Sequence, residues 1–369
     1  MTQSLFQPVL TGRHEGLGAK FAAFGGWRMP VEYAGGGVLR EHAAVREAVG
    51  MFDVSHLGTV TVRGRPAVDY LNRCLSNDLD RVADGQAQYT LCCDDAGGIV
   101  DDLIVYRCAE DEVLCVPNAA NAAAVVARLA GDAPAGVEVV DRHTEYAIIA
   151  VQGPRSADLL LAAGLPAGHG YLSFVRADDV VVCRSGYTGE HGYELIAPVR
   201  IAGGLWDRLL AAGAPMGVLP CGLGARDTLR TEMGYPLHGQ DLSREISPLQ
   251  AGLGWAVGWD KPEFWGRRAL LAERAAGPRR RAIGLETLAR AVPRPGMTVS
   301  AGPPGSSGAA TMGVVTSGTF SPSRRVGIAL TLLDADAGWR VGDEVSLDVR
   351  ARPVRSRLVK PPFVPSRVR

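Results

Sequence analysis

The residues best suited to chemistry stand in a glycine-punctuated stretch, Arg184-Ser-Gly-Tyr187-Thr-Gly189-Glu190-His-Gly192-Tyr-Glu194. It delivers one carboxylate, Glu190, between two alternating apolar runs, Asp178-Asp-Val-Val-Val-Cys-Arg and Tyr193-Glu-Leu-Ile-Ala. That pattern predicts two strands joined by a loop of special backbone geometry. Gly186, Gly189 and Gly192 recur at intervals of three, which allows positive φ and close backbone approach to a ligand. An ordinary hairpin with a solvated glutamate fits the same residues, so companion motifs must decide.

Three such motifs occur. Gly97-Gly-Ile-Val-Asp101-Asp102-Leu-Ile-Val puts adjacent carboxylates at the start of a strand. Neighbouring side chains on a strand face opposite ways, which sends one into a cavity and the other to solvent or a cap. A plain turn before a strand explains the bare pattern equally well. Val116-Pro-Asn118-Ala-Ala-Asn121 ends a strand and opens a helix, with Asn118 either an N-cap or a ligand. Gly224-Ala-Arg226-Asp227-Thr-Leu-Arg230-Thr-Glu232 places Arg226 and Arg230 on one helical face. Either this is a surface helix held by pairs such as Asp227 with Arg230, or a planar guanidinium there meets an anionic group.

The elements that must position these groups are largely strands. Alternation marks Gly58-Thr-Val-Thr-Val-Arg, Ala87-Gln-Tyr-Thr-Leu-Cys-Cys, Asp102-Leu-Ile-Val-Tyr-Arg, Glu112-Val-Leu-Cys-Val and Tyr146-Ala-Ile-Ile-Ala-Val. Helical spacing marks Pro66 to Leu75, Ala119 to Leu129 and the run from Gly203 to Leu210. Short glycine turns between strands, such as Asp95-Ala-Gly-Gly98, favour antiparallel α+β sheets over a doubly wound parallel one. Ala275-Ala-Gly-Pro-Arg-Arg-Arg281 reads as a linker, and the chain beyond it as all-β. Pro293 to Gly308, rich in Gly and Pro, reads as an exposed loop.

Composition narrows the chemistry. With 39 basic and 39 acidic residues the formal charge is zero, so nothing marks the chain for nucleic acid or an anionic membrane. Seven scattered cysteines, odd in number and without CxxC spacing, argue for reduced thiols in the cytoplasm and against a zinc site or disulfides. No metal is expected. No signal peptide or spanning run is evident. Lys20, Lys261 and Lys360 are the only lysines and none follows a glycine, which excludes a phosphate-binding GxxxxGK[ST] loop. GxSxG and HExxH are absent too.

Taken in order, the motifs resemble one family from end to end. They run from Phe24-Gly-Gly-Trp27-Arg-Met-Pro30-Val and Gly50-Met-Phe-Asp53-Val-Ser-His56-Leu-Gly58 through Gly97 to Asp102, Asn118 to Asn121 and Val151-Gln-Gly-Pro154. They continue with Gly186-Tyr-Thr-Gly-Glu190, Gly222 to Asp227, Pro248-Leu-Gln-Ala-Gly-Leu-Gly-Trp255, Thr316-Ser-Gly-Thr-Phe-Ser-Pro322 and Lys360-Pro-Pro-Phe363. The family is the T protein of the glycine cleavage system, a tetrahydrofolate-dependent aminomethyltransferase. The resemblance implies a three-domain α+β cloverleaf with antiparallel sheets around a central folate channel. Residues 1–274 would form the folate-binding region, with an inserted domain at roughly 54–140. Residues 275–369 would form a C-terminal β-barrel of jelly-roll type. The implied substrate is an aminomethyl-dihydrolipoyl arm on the lipoylated H protein. Its methylene carbon passes to tetrahydrofolate, giving 5,10-methylenetetrahydrofolate and ammonia.

The resemblance also assigns roles. The family's catalytic carboxylate matches Asp101, although spacing alone does not separate it from Asp102. Glu190 would accept the paired N–H groups of a pterin ring. Tyr89 and Tyr187 match wall positions of the pterin pocket, and Asn118 a polar ligand beside it. Arg226 would meet the folate's anionic end or support Glu190. His191, His238 and Gln250 depart from residues common in the family at those positions. Two other readings share the fold: a folate-dependent demethylase of a small methylated substrate, and a non-catalytic folate-binding protein. The latter carries a reactive cysteine where this chain has Gly186-Tyr-Thr-Gly-Glu190.

Overall fold

A long apolar run, Tyr146–Gln152, forms the centre of the largest open sheet because every residue after Tyr146 is buried. Such a strand needs cover on both faces, which explains its continuous rather than alternating hydrophobicity. In the computed structural model, which describes residues 4–304 and 310–369, the chain divides into two compact units. The first comprises the chain up to Cys92, Asp101–Arg226 and Arg367–Arg369. The second comprises Cys93–Val100 and Asp227–Ser366.

In the first unit the six-stranded sheet runs in the order Phe174–Ala177, Val180–Cys183, Gly192–Pro198, Tyr146–Gln152, Gly50–Asp53 and Leu219–Pro220. Its pairings are antiparallel except the last, which is parallel. The helices Ser156–Ala162 and Val199–Gly213 bury Leu159, Leu205, Trp206 and Leu209 against Ile149, Val151 and Leu195. A five-stranded sheet takes the order Ala87–Cys93, Ile99–Ala109, Glu112–Val116, Val60–Arg63 and Glu138–Asp141. Helices Ala67–Cys74 and Ala122–Gly131 follow the helical spacing of the sequence and begin and end within a few residues of it. The expected strands at Ala87, Asp102, Glu112 and Tyr146 all form.

The second unit contains a closed antiparallel barrel of six strands: Arg280–Thr287, Val326–Asp334, Thr311–Ser321, Thr298–Ala301, Glu344–Asp348 and Pro353–Val359. Closure comes from pairing of the first and last, with Leu285 opposite Leu358. Leu285, Val299, Ala329, Leu333, Val345 and Leu347 fill its interior. A closed sheet has no exposed edge to pair with another chain.

The fold is thus mixed α+β with antiparallel sheets and an all-β C-terminal barrel, as the sequence implies. Two boundaries differ. Arg280 and Arg281, expected in a linker, already belong to the first barrel strand. Within the expected loop from Pro293, Thr298–Ala301 is a barrel strand whose Val299 is fully buried; the last residues of that stretch lie outside the described residues. Glycine and proline at its flanks hid a strand only four residues long. All seven cysteines are free, and only Cys108 is partly exposed. Among the described residues no helix is long and apolar enough to cross a membrane.

Candidate active site

The loop bearing Glu190 is built as expected between two antiparallel strands, with Cys183 opposite Glu194. What fixes the loop is Gln152, fully buried on the neighbouring strand. Its Nε2 donates to the carbonyls of Ser185 at 3.1 Å and Tyr193 at 3.2 Å, and its Oε1 accepts from Thr188 Oγ1 at 2.7 Å. A Cβ at Gly186 or Gly192 would lie 2.0 or 2.3 Å from the Gln152 amide. Only Gly189 has a left-handed φ, of 79°. The three glycines therefore do not share one reason. Two make room for a buried glutamine instead of a ligand, and one turns the chain.

At the tip of this loop Glu190 is 3% exposed. Arg46, on the helix Gly37–Glu47, donates from Nη1 to Glu190 Oε1 at 2.9 Å and to the Thr188 carbonyl at 2.7 Å. Arg367 Nη1 stands 3.9 Å from the same carboxylate oxygen. No spacing rule connects Arg46 or Arg367 with Glu190, so the sequence offered no signal for either.

The second cluster centres on Asp101, fully buried in the strand Ile99–Ala109. Its Oδ2 accepts the Asn118 backbone N–H at 2.9 Å, and its Oδ1 accepts the side-chain amides of Asn118 at 2.9 Å and Asn121 at 2.7 Å. The Asn118 Nδ2 also reaches Asp102 Oδ1 at 2.9 Å, and Tyr89 Oη donates to Asp102 Oδ2 at 3.0 Å. The two carboxylates thus converge on one amide instead of facing fully apart. Asn118 is not the helix cap either: Asn121 holds that position before Ala122–Gly131. Asn118 serves the carboxylates.

Electrostatics set the protonation of this cluster. Burial, and then the charge of Asp102, hold the Asp101 carboxyl well above the usual carboxylate range, against the opposing bonds from Asn121 and Asn118. Burial, and then Asp102, push the Tyr89 phenol up, so it stays a donor. A buried acid poised this way can hold or release a proton near neutrality, which is the requirement of general acid–base chemistry.

Tyr187 lies close enough to Tyr89 to act on its phenol electrostatically. The Arg226 guanidinium packs over the Tyr187 ring, 4.7 Å from its centroid. So Tyr89, Asp101, Asp102 and Asn118 form one bonded cluster, Tyr187 and Arg226 stand beside it, and Glu190 occupies the loop that also carries Tyr187. Arg230 does not join them. It is 1% exposed and binds Asp227, Asp241 and Ser317 in the second unit, where it is structural. The Asp227–Arg230 pair read from the sequence is present at 2.7 Å.

His56 also neighbours Arg226. Burial, and then Arg226, lower its imidazole to about 3, so it is neutral. The three departures have ordinary contacts. His191 Nδ1 bonds Ser156 Oγ at 3.0 Å, His238 Nε2 meets the Ile99 carbonyl at 3.1 Å, and Gln250 accepts from Arg280 Nε at 3.0 Å. Among the described residues no group of acidic, histidine or cysteine side chains is arranged to hold a metal ion.

The chain thus offers two candidate site features in a mixed α+β scaffold: a buried acid, Asp101, with amide donors, and a nearly buried carboxylate, Glu190, on a glycine-turned loop. Residues 10–261 match the GCVT N-terminal domain, and residues 280–365 match the glycine cleavage T-protein C-terminal barrel domain. An aminomethyltransferase of Parafrankia sp. (strain EAN1pec) is 62% identical over 356 residues, covering 95% of this chain and 96% of that protein. One of Mycobacterium tuberculosis (strain H37Rv) is 55% identical over 369 residues, covering 99% and 98%. The crystal structure of the glycine cleavage system aminomethyltransferase T from Bartonella henselae superimposes with a TM-score of 0.92 at 36% identity, covering 99% of both chains. The chain belongs to the glycine cleavage T-protein family. It is an enzyme, a one-carbon transferase with aminomethyltransferase activity.

Proposed function

We propose that the chain takes the methylene carbon of an aminomethyl-dihydrolipoyl arm, carried by the lipoylated H protein, and passes it to tetrahydrofolate. The products are 5,10-methylenetetrahydrofolate and ammonia. The observation that carries this reading is the buried Asp101 carboxyl, held by Asn118 and Asn121 and retaining its proton more strongly than an ordinary aspartate.

The residues present fit a reduced pterin. Glu190 is a nearly buried carboxylate whose oxygens each have two lone pairs, so Arg46 on Oε1 leaves acceptor capacity for paired N–H donors. Tyr89 and Tyr187 supply aromatic surface, Asn118 a polar group, and Arg226 a fixed cation beside Tyr187. When bound, tetrahydrofolate supplies the nitrogens that accept the carbon. Asp101 holds or moves the proton that this transfer requires, and its carboxylate form stabilises positive charge on the departing amine. Asn118 and Asn121 fix its rotamer, and the buried position excludes water from it. A positioned acid–base group of this kind contributes typically about 10² to 10⁴-fold.

We further propose the cytoplasm as the setting, on the ground that seven free thiols suit a reducing compartment. The division into residues 1–274, with roughly 54–140 inserted, and 275–369 is likewise proposed. It is supported by the five-stranded sheet drawing four of its strands from Val60–Val116 and the barrel all of its strands from Arg280–Val359.

The decisive experiment measures ammonia release and methylenetetrahydrofolate formation from aminomethyl-loaded H protein, comparing wild type with Asp101→Asn. Turnover by wild type and a loss of about 10²-fold or more in the variant, with folate binding retained, is the expected result. Tight folate binding without turnover by wild type would sink the reading.

A further inference from the structure

We propose that the segment Arg367-Val368-Arg369 is a positioning element of the Glu190 loop, and so sets the affinity for the pterin end of the acceptor. This rests on the reading of Glu190 as the pterin's carboxylate.

The tripeptide is bonded to the loop at its backbone. Arg367 donates its N–H to the Gly189 carbonyl at 2.8 Å, next to the residue that carries the site carboxylate. Gly189 is the loop's one left-handed residue, with φ 79°, and a turn of this kind exposes a carbonyl that needs a partner. Val368 offers its own carbonyl to Arg184 Nη2 at 2.6 Å. Arg184 is 4% exposed, and its Nη1 donates to the Gly192 carbonyl at 3.1 Å. One buried guanidinium therefore joins Gly192, where the loop ends, to Val368. Arg184 and Arg369 also face the same ring, each 5.9 Å from the centroid of Tyr171.

Gln152 fixes the loop from inside, through Ser185, Thr188 and Tyr193. Arg46 holds the Thr188 carbonyl and one oxygen of Glu190. The Gly189 carbonyl lies between these anchors, and the tripeptide is what bonds it. The side chain of Arg367 adds a cation 3.9 Å from Glu190 Oε1 while remaining 63% exposed. An ion pair that exposed contributes little to folding. Its consequence falls on the orientation of the carboxylate and on the field that a ligand meets there.

The test uses the full chain and four variants: Arg367→Ala, Arg367→Lys, Arg367→Glu, and a chain ending at Ser366. For each, tetrahydrofolate is titrated directly, KM and kcat are measured with aminomethyl-loaded H protein, and the melting temperature is recorded. The shortened chain and Arg367→Glu should raise the Kd and KM for tetrahydrofolate by about five- to tenfold with little change in kcat. Arg367→Ala should show a smaller rise that Arg367→Lys largely restores, and the melting temperature of the point variants should stay near that of wild type. Unchanged KM in all four variants overturns the proposal. So does a loss in kcat and KM alike that tracks a lower melting temperature, since that is the behaviour of a purely structural strap. Glu190→Gln separates the two levels of inference. If wild type does not bind tetrahydrofolate, or Glu190→Gln binds it as well as wild type does, the reading of Glu190 fails. If Glu190→Gln weakens binding and the tail variants do not, only the tail's role fails.

Discussion

Arg46 and Glu190 form a nearly buried ion pair, 2.9 Å from Nη1 to Oε1, between residues 144 apart in the chain. The same nitrogen donates to the Thr188 carbonyl, so a single guanidinium fixes both the loop and the carboxylate at its tip. Removing one partner of a buried pair leaves the other charge poorly compensated. Arg46→Ala is therefore expected to lower stability by roughly 3 kcal/mol and to weaken tetrahydrofolate binding. Arg46→Lys should recover part of each. Urea unfolding and ligand titration measure the two effects, and a loss of stability below about 1 kcal/mol would contradict the pair's role.

Asn118 places one amide between two carboxylates, Asp101 and Asp102. Asn118→Ala removes those bonds and should cost about 1–3 kcal/mol. Asn118→Asp should be worse at neutral pH, because it adds a third carboxyl where a donor is required. Acidification should recover stability in the aspartate variant selectively. Melting temperatures of the two variants at several pH values decide the matter, and parallel pH profiles would refute it.

Asp101 itself makes a signed prediction. Its folded-state pKa is raised, so the native chain retains this proton where the unfolded chain has lost it. The contribution to stability is complete below the unfolded value and is lost as pH rises through the folded one, opposite to a salt-bridged aspartate. The unfolding free energy of wild type relative to Asp101→Asn should therefore fall as pH rises from about 4, the usual aspartate value, to about 8. Any fixed cost of the substitution cancels in that slope. A rising or flat difference would show that Asp101 is ionised without penalty.

Gly192 is confined by the Gln152 amide, 2.3 Å from the place a Cβ would occupy. Its φ is not left-handed, so the contact alone penalises a side chain. Gly192→Ala should cost about 1–3 kcal/mol, as overpacking does in a buried site. Gln152→Ala loses the loop's hydrogen bonds, yet in the double variant it also removes the clash. The two substitutions should cost less together than the sum of their single effects. Strict additivity in a double-mutant cycle would show that the glycine has another purpose.

Much of this protein was legible before its structure. The strands at Ala87, Glu112 and Tyr146 follow from alternation or continuous apolarity, and the helix Ala122–Gly131 from its spacing, because these patterns reflect which faces must be buried. The Glu190 hairpin, the Asp101–Asp102 pair and Asn118 were visible as motifs, since turns and strand ends demand particular residue types locally. The α+β class and the all-β character of the C-terminal part followed from the order of such elements.

Tertiary structure alone decided which partners those motifs meet. The Arg46–Glu190 pair spans 144 residues, and no periodicity encodes a contact at that distance. Gly186 and Gly192 look like a ligand loop in sequence; only the packed sheet reveals that Gln152 occupies the space beside them. Arg226 and Arg230 are one helical turn apart and read alike, but Arg226 packs on Tyr187 while Arg230 is buried with Asp241. Local sequence specifies backbone and face through short-range sterics and burial. Which charges are brought together depends on how distant elements pack, and burial then determines how strongly a carboxyl such as Asp101 keeps its proton.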